Sequence, residues 1–418
     1  MSPFSASNLG REFTYLYSHR YAFGKVRSEK IEKFHNNQTK EISELESKIL
    51  NRSYSPFYRG VIIEQEKPDK SIKRRGITPL GCGDWIVQRI LLKELGRITN
   101  NAFSNSVSYG RKKTSLENEA RSPANCCMHI AAARMELPFA FRADLIDFFP
   151  SIQREGLLDN LYQHLPNNWD LRWLLETIIN TDGLPPEAAN AQERLKFWPP
   201  GTGVHQGTVL APFFANVAMS PWDLKWQTNV KLFRYVDDWL ILGASERYIQ
   251  EMAKQLKDDL PPGVKCHLDD PKKSTFYSAE SDIAFLGLSV SSSCKVRPSQ
   301  DAIQKHAAIV NTKALNAKNI VLLVQLLGNY NSAWKAYYST CGLTQPLKHE
   351  ADRRVETAIS TWLENKGFSG SSTVNRFRKL LFEYHPAHDP KIQQKLDFLL
   401  ETGESRPNDI DDLLARFT

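Results

Sequence analysis

The chain has 418 residues, 41% hydrophobic, 11% aromatic and 24% charged, with a formal net charge of +7. That apolar content can bury a substantial core, which excludes a disordered or fibrous chain, and the length predicts two or three subdomains. No apolar run approaches the roughly 18 residues of a membrane helix, no charged-then-apolar leader opens the chain, and the six cysteines show no Cys-x-x-Cys pairing with histidines, so a cytoplasmic protein with reduced thiols, no zinc and no membrane is expected.

In chain order, residues 28–50 read as a helix, with Ile31, Phe34, Ile42, Leu45 and Ile49 forming one apolar stripe, and 84–99 as another starting at Asp84. Residues 155–179 look helical for most of their length and residues 181–186 mark a break. Residues 201–217 pass from a turn into a helix, and 246–260 form a helix closed by Pro261, Pro262 and Gly263. Beyond Val290 the pattern turns largely helical, over 299–315, 319–339 and 352–365, with Ser299 as an N-cap. Residues 369–372 read as a linker to a last helical element.

Two acidic sites carry the chemistry. Asp237 and Asp238 sit between the β-favouring runs Phe233–Val236 and Trp239–Leu242, which predicts a hairpin with the acidic pair at its bend. An Asp-Asp turn alone would be ordinary. A second site, Asp144 in a strand-like run from Phe141 to Ile152, changes the balance. Mg²⁺ takes hard oxygen donors and keeps waters, so a few carboxylates from two strands plus substrate phosphates suit it. Asp147 reads instead as a cap for the turn that follows.

With these residues in view the chain resembles the reverse transcriptases, most specifically the bacterial group that includes group II intron, retron and phage-defence enzymes. Ser108-Tyr109-Gly110 resembles the fingers signature and 144–152 the first palm motif. Residues 203–207 with Ala211, Pro212 and Asn216 resemble the Gln-Gly block, and Tyr235 to Asp238 the Tyr-x-Asp-Asp box. Lys272-Lys273-Ser274 resembles the lysine motif and Phe285-Leu286-Gly287 the primer-grip hairpin. An ordered series of motifs is stronger than any one of them.

The resemblance implies an α/β right-hand polymerase, with fingers, an antiparallel palm sheet with helices, and an all-helical thumb. It implies a two-metal Mg²⁺ site on Asp144, Asp237 and Asp238. It places Lys73 and Arg75 at the triphosphate, with Arg74 an alternative and Arg75 preferred. Phe149 would lie under the incoming sugar, Phe148 being the packed core ring. Gln206 and Gly207 would line the nascent pair, Tyr235 and Phe285 to Gly287 would meet primer and template, and Lys273 would lie near the pyrophosphate, with Lys272 able to hold the same register. His205 stands where many relatives have proline. Asn125 to His129 is similar to an element of retron enzymes, and His129 itself reads as packed or solvated.

The expected partition is 1–135 N-terminal helices and fingers, 136–292 palm, 293–368 thumb and 369–418 a helical extension. Residues 295–379 hold 13 Lys or Arg against 5 Asp or Glu, a balance suited to a nucleic-acid backbone. The expected function is RNA-directed DNA synthesis from dNTPs on an RNA template, with a DNA product. A cognate structured non-coding RNA in antiphage defence is the preferred setting. An intron-type or retron-type enzyme, or a non-catalytic maturase-like RNA-binding protein, are the alternatives.

Overall fold

The computed structural model describes residues 2–21, 29–66, 71–99, 102–111, 117–268, 270, 273–317 and 320–365. Lys272, the linker at 369–372 and the extension beyond it lie outside the described residues. The chain divides into two compact units, the first ending at Ile283 and the second starting at Ala284.

The first unit opens with α1 (Ala6–Tyr21), α2 (Glu29–Asn36) and α3 (Gln38–Leu50). The single helix expected over 28–50 is therefore broken. Asn37 leaves helical space (φ −115°, ψ 21°) and its side-chain Nδ2 donates back to the Lys33 carbonyl at 2.9 Å. The apolar stripe survives the break, because Ile31, Phe34, Ile42, Leu45 and Ile49 are all buried. An antiparallel hairpin of β1 (Val61–Glu66) and β2 (Ile72–Ile77) leads to α4 (Cys82–Ile98). Gly81 is the N-cap of α4, ahead of the expected Asp84, which instead accepts the Tyr54 hydroxyl at 2.6 Å.

Then follow β3 (Ser108–Tyr109), α5 (Pro123–Arg134), β4 (Phe139–Ile146), α6 (Phe148–Ser151), α7 (Arg154–Tyr162), α8 (Arg172–Asn180), α9 (Ala191–Phe197), α10 (Ala211–Trp226), β5 (Lys231–Tyr235), β6 (Asp238–Gly243), α11 (Glu246–Asp258), β7 (Lys265–Cys266) and β8 (Thr275–Tyr277). The helix expected over 155–179 is split into α7 and α8, since Pro166, Asn167 and Asn168 favour turns. The sheet runs β3-β5-β6-β4-β7, with β8 also on β4. Its middle strand, β6, buries Trp239, Leu240, Ile241 and Leu242 almost completely, the uninterrupted apolar run of a strand covered on both faces. Helix α11 packs on β4 and β6, α5 on β5 and β6, and α10 on β3. Each large side chain so buried contributes about 1.5–3 kcal/mol.

From the boundary onward, β9 (Ile283–Phe285), β10 (Leu288–Val290) and β11 (Val296–Pro298) form a sheet in the order β11-β10-β9. Helices α12 (Gln300–Leu315), α13 (Ile320–Tyr338) and α14 (Gln345–Asn365) pack on one another. Ser299 caps α12 as expected, its hydroxyl accepting the Ala302 amide at 3.1 Å. Helix α14 begins earlier than the expected residue 352. Val310, Leu323, Leu327, Val355 and Ile359 form the core with Trp334 and Tyr338, whereas Tyr337 is exposed. No helix among the described residues is long and apolar enough to cross a membrane.

Candidate active site

Strands β5 and β6 close on the two residues Val236 and Asp237, with Tyr235 opposite Asp238. Val236 sits at φ 58°, where a β-branched side chain is strained by about 1–3 kcal/mol. The turn is held from behind. Fully buried Arg234 donates from Nη1 to the Val236 carbonyl at 2.8 Å and grips both carboxylate oxygens of buried Asp223, from Nε at 2.8 Å and from Nη2. From the front, the Leu145 amide donates to the Asp237 carbonyl at 2.9 Å. Both aspartates were expected at the bend. Only Asp237 is there; Asp238 is the first residue of β6 and lies directly opposite Asp144 of β4.

Like charges directly opposite one another destabilise a sheet. The cost is visible at Asp237, whose carboxyl is pushed up to about 6, chiefly by burial and then by Asp238 and Asp144. Burial also raises Asp238, against the pull of Arg142. Two cations answer the cluster: Arg142 Nη2 donates to Asp238 Oδ1 at 3.0 Å, and Lys273 Nζ donates to Asp144 Oδ2. Among the described residues no three His, Cys, Asp or Glu side chains form a ready-made cation cage. The donor set nevertheless fits Mg²⁺. It is all hard oxygen, it comes from two strands and the turn beside them, and a divalent cation there would offset the burial and the mutual repulsion that raise the Asp237 carboxyl.

Around the cluster, Phe148 is buried and Phe149 half-buried, and the Phe149 carbonyl accepts the Val204 amide at 2.9 Å. Asp147 stands at the N-cap of α6 but its side chain makes no cap bond; it pairs with Lys196 at 3.2 Å instead, because its left-handed backbone (φ 41°) is not that of a side-chain cap. The Gln206 carbonyl accepts the Thr78 amide at 2.8 Å, tying the Gln-Gly loop to the end of β2, and Gly207 takes φ 93°. Gly203 is obligatory, since at φ 75° a Cβ would lie 2.8 Å from the Pro150 backbone. Buried Arg154 holds this loop, donating to the Gly203 carbonyl at 2.9 Å and to Asp182 at 2.7 Å. His205 donates from Nε2 to the Thr181 carbonyl at 2.8 Å, and burial lowers its pKa, keeping it neutral.

On β2, alternation puts Lys73 and Arg75 on one face and Arg74 on the other. Arg74 is engaged by Glu64 (3.2 Å) and Glu193 (2.8 Å), while Arg75 is exposed. Tyr235 pairs in parallel register with Tyr109, whose hydroxyl meets His129 Nδ1 at 2.5 Å; His129 Nε2 in turn lies 3.0 Å from Glu119. His129 is thus a bridging residue. Phe285 lies in the second unit, where Leu286 (φ 54°) and Gly287 (φ 75°) make a tight hairpin turn between β9 and β10.

The structure brings together Asp144, Asp237, Asp238, Tyr235 and Lys273. Sequence reasoning missed Arg142, the Arg234–Asp223 pair and Arg154. The signal for Arg142 was present, since strand alternation puts it on the same face as Asp144.

Comparison with known proteins bears on this geometry. No curated protein sequence matches the chain. Among solved structures, telomerase from Candida albicans with a fragment of telomeric RNA is 10% identical, covers 83% of this chain and 64% of its own, and has a TM-score of 0.39. Apo telomerase from Candida tropicalis is 11% identical, with 91% and 66% covered and a TM-score of 0.44. The RNA-dependent RNA polymerase of a human picobirnavirus is 12% identical, with 74% and 57% covered and a TM-score of 0.43. The chain spans about two thirds or less of each of these proteins. The family profile for reverse transcriptase (RNA-dependent DNA polymerase) matches residues 65–290, more than half of the sequence, from the end of β1 through the carboxylate cluster to β10. The chain belongs to the reverse transcriptase family.

Proposed function

We propose that this protein is an RNA-directed DNA polymerase that extends a primer with dNTPs on a structured, cognate non-coding RNA, in antiphage defence. The observation that carries the catalytic part is the placement of Asp144 opposite Asp238 with Asp237 in the adjoining strained turn. Arg142 and Lys273 each pair with one of the three carboxylates, which leaves Asp237 as the buried acid that a bound cation would compensate. Bound Mg²⁺ would assist attack of the primer 3′-hydroxyl on the α-phosphate and stabilise the departing pyrophosphate.

Asp144, Asp237 and Asp238 hold the metal ions in this reading. Strand β2 offers exposed Arg75, with half-buried Lys73 on the same face, to the triphosphate, where a guanidinium fork suits phosphate oxygens. Phe149 bars a 2′-hydroxyl by its bulk, and Gln206 and Gly207 carry the nascent pair on a loop fixed to β2. Lys273, paired with Asp144 in the metal-free site, would be the cation available to the pyrophosphate once Asp144 held a metal ion. Tyr235 and the Phe285–Gly287 turn meet the primer. We read 1–135 as N-terminal helices and fingers, 136–292 as palm, 293–368 as thumb and 369–418 as an extension. The defence setting rests on the resemblance of the motifs alone.

The test is to purify the protein from its native locus, sequence the RNA that accompanies it, and supply Mg²⁺ with labelled dNTPs. One enriched structured RNA, copied into DNA, is expected. An enriched RNA with no DNA under any primer condition would favour the maturase-like alternative.

A further inference from the structure

Arg142 belongs to none of the roles assigned above, yet it is the cation closest in the fold to Asp238. On β4 it stands two residues before Asp144, so both side chains project from one face. Its neighbours in the sheet are Leu240 on β6 and Thr275 on β8, which places the guanidinium across the junction of three strands. From there Nη2 reaches Asp238 Oδ1 at 3.0 Å. The same guanidinium hydrogen-bonds the side chain of Tyr277, a buried residue of β8 that lies opposite Ala140 on that face. Lys273, the other cation of the cluster, sits on the loop before β8 and is a point charge on a flexible stem. Arg142 is a planar fork anchored at both ends.

We infer that Arg142 is a positioning residue for the carboxylate centre, clamped by Tyr277 so that it fixes the rotamer of Asp238 and presents that carboxylate beside Asp144 before any metal arrives. This rests on the metal-centre reading above. A charge that merely neutralises carboxylates would compete with a cation and weaken its binding. A clamp that orients a ligand strengthens binding, as the outer partners of metal ligands do, and its loss costs about 10- to 100-fold in metal affinity or activity. The two roles predict opposite signs.

The experiment is a Mn²⁺ titration of the full-length, nucleic-acid-free protein, following free Mn²⁺ by electron paramagnetic resonance without dNTP. Arg142→Gln is expected to raise the Mn²⁺ midpoint about 10- to 100-fold. Tyr277→Phe should raise it less, and Arg142→Lys should recover only part of the loss, since an ammonium cannot span Asp238 and Tyr277. In primer extension, Arg142→Gln should lower kcat with little change in dNTP KM. A midpoint that is unchanged or lower in Arg142→Gln, or full recovery in Arg142→Lys, would overturn the inference alone. Wild-type protein that binds Mn²⁺ no better than an Asp144→Asn, Asp237→Asn variant would overturn the metal-centre reading and this inference with it. Should Arg142→Gln fail to fold, Tyr277→Phe decides, and no shift there overturns the clamp.

Discussion

Arg234 is the residue on which the β5–β6 turn rests. It is fully buried, satisfies Asp223 through two bonds and supports the carbonyl of a strained Val236. Arg234→Met leaves Asp223 as an uncompensated buried charge, so chemical denaturation should show a loss of about 3–5 kcal/mol. A different behaviour is expected of Asp237. A carboxyl whose folded pKa is raised stabilises the fold below its unfolded value and loses that contribution as pH rises through the folded one, here about 6. In the metal-free protein the melting temperature should therefore fall between pH 4 and pH 7, Asp237→Asn should flatten that slope, and Mg²⁺ at pH 7 should restore stability. An identical slope in Asp237→Asn would refute the assignment. The three aspartates were legible because acids set in apolar, β-favouring runs carry a cost that calls for a reason. Of their cations Lys273 stood in a motif and Arg142 did not: alternation puts Arg142 on the face of Asp144, but an arginine inside a strand reads the same whether it faces solvent or a neighbouring carboxylate. Asp147 illustrates the limit from the other side: a cap and an ion pair with Lys196 ask for the same residue.

At the scale of elements, the loop from α9 to α10 shows how backbone geometry sets the position of side chains. Gly203 passes so close to Pro150 that Gly203→Ala must displace either the loop or α6. The prediction is a drop of about tenfold or more in kcat/KM with a smaller effect on melting, because the shift moves Gln206 relative to β2; unchanged kinetics would show that the loop does not position the nascent pair. Apolar periodicity located most helices and the β5–β6 hairpin. It failed at interruptions made by polar residues, as at Asn37, where the stripe continues across two helices, and at 163–171, where the turn formers were outvoted by flanking leucines. Gly81 rather than Asp84 is the N-cap of α4, and Asp84 accepts the Tyr54 hydroxyl, a long-range contact that no local pattern contains.

For the whole molecule, motif order identified the family from residues scattered over more than half of the chain, because each motif is tied to a chemical task. The sheet itself, with β4 between β6 and β7 and β3 added in parallel to β5, depends on pairings distant in sequence that spacing alone does not specify. Charge points the same way as the motifs: the basic excess over residues 295–379 predicts that RNA affinity falls steeply with salt, and a flat salt dependence in filter binding would exclude backbone contact as its source. The most direct test of the central claim is single-turnover extension of a DNA primer on an RNA template with Mg²⁺, comparing wild-type protein with Asp237→Asn. The account predicts dNTP incorporation by the wild type and a loss of about a thousandfold or more in the variant, several kcal/mol of barrier, with RNA binding retained. Equal extension by the two proteins would contradict it.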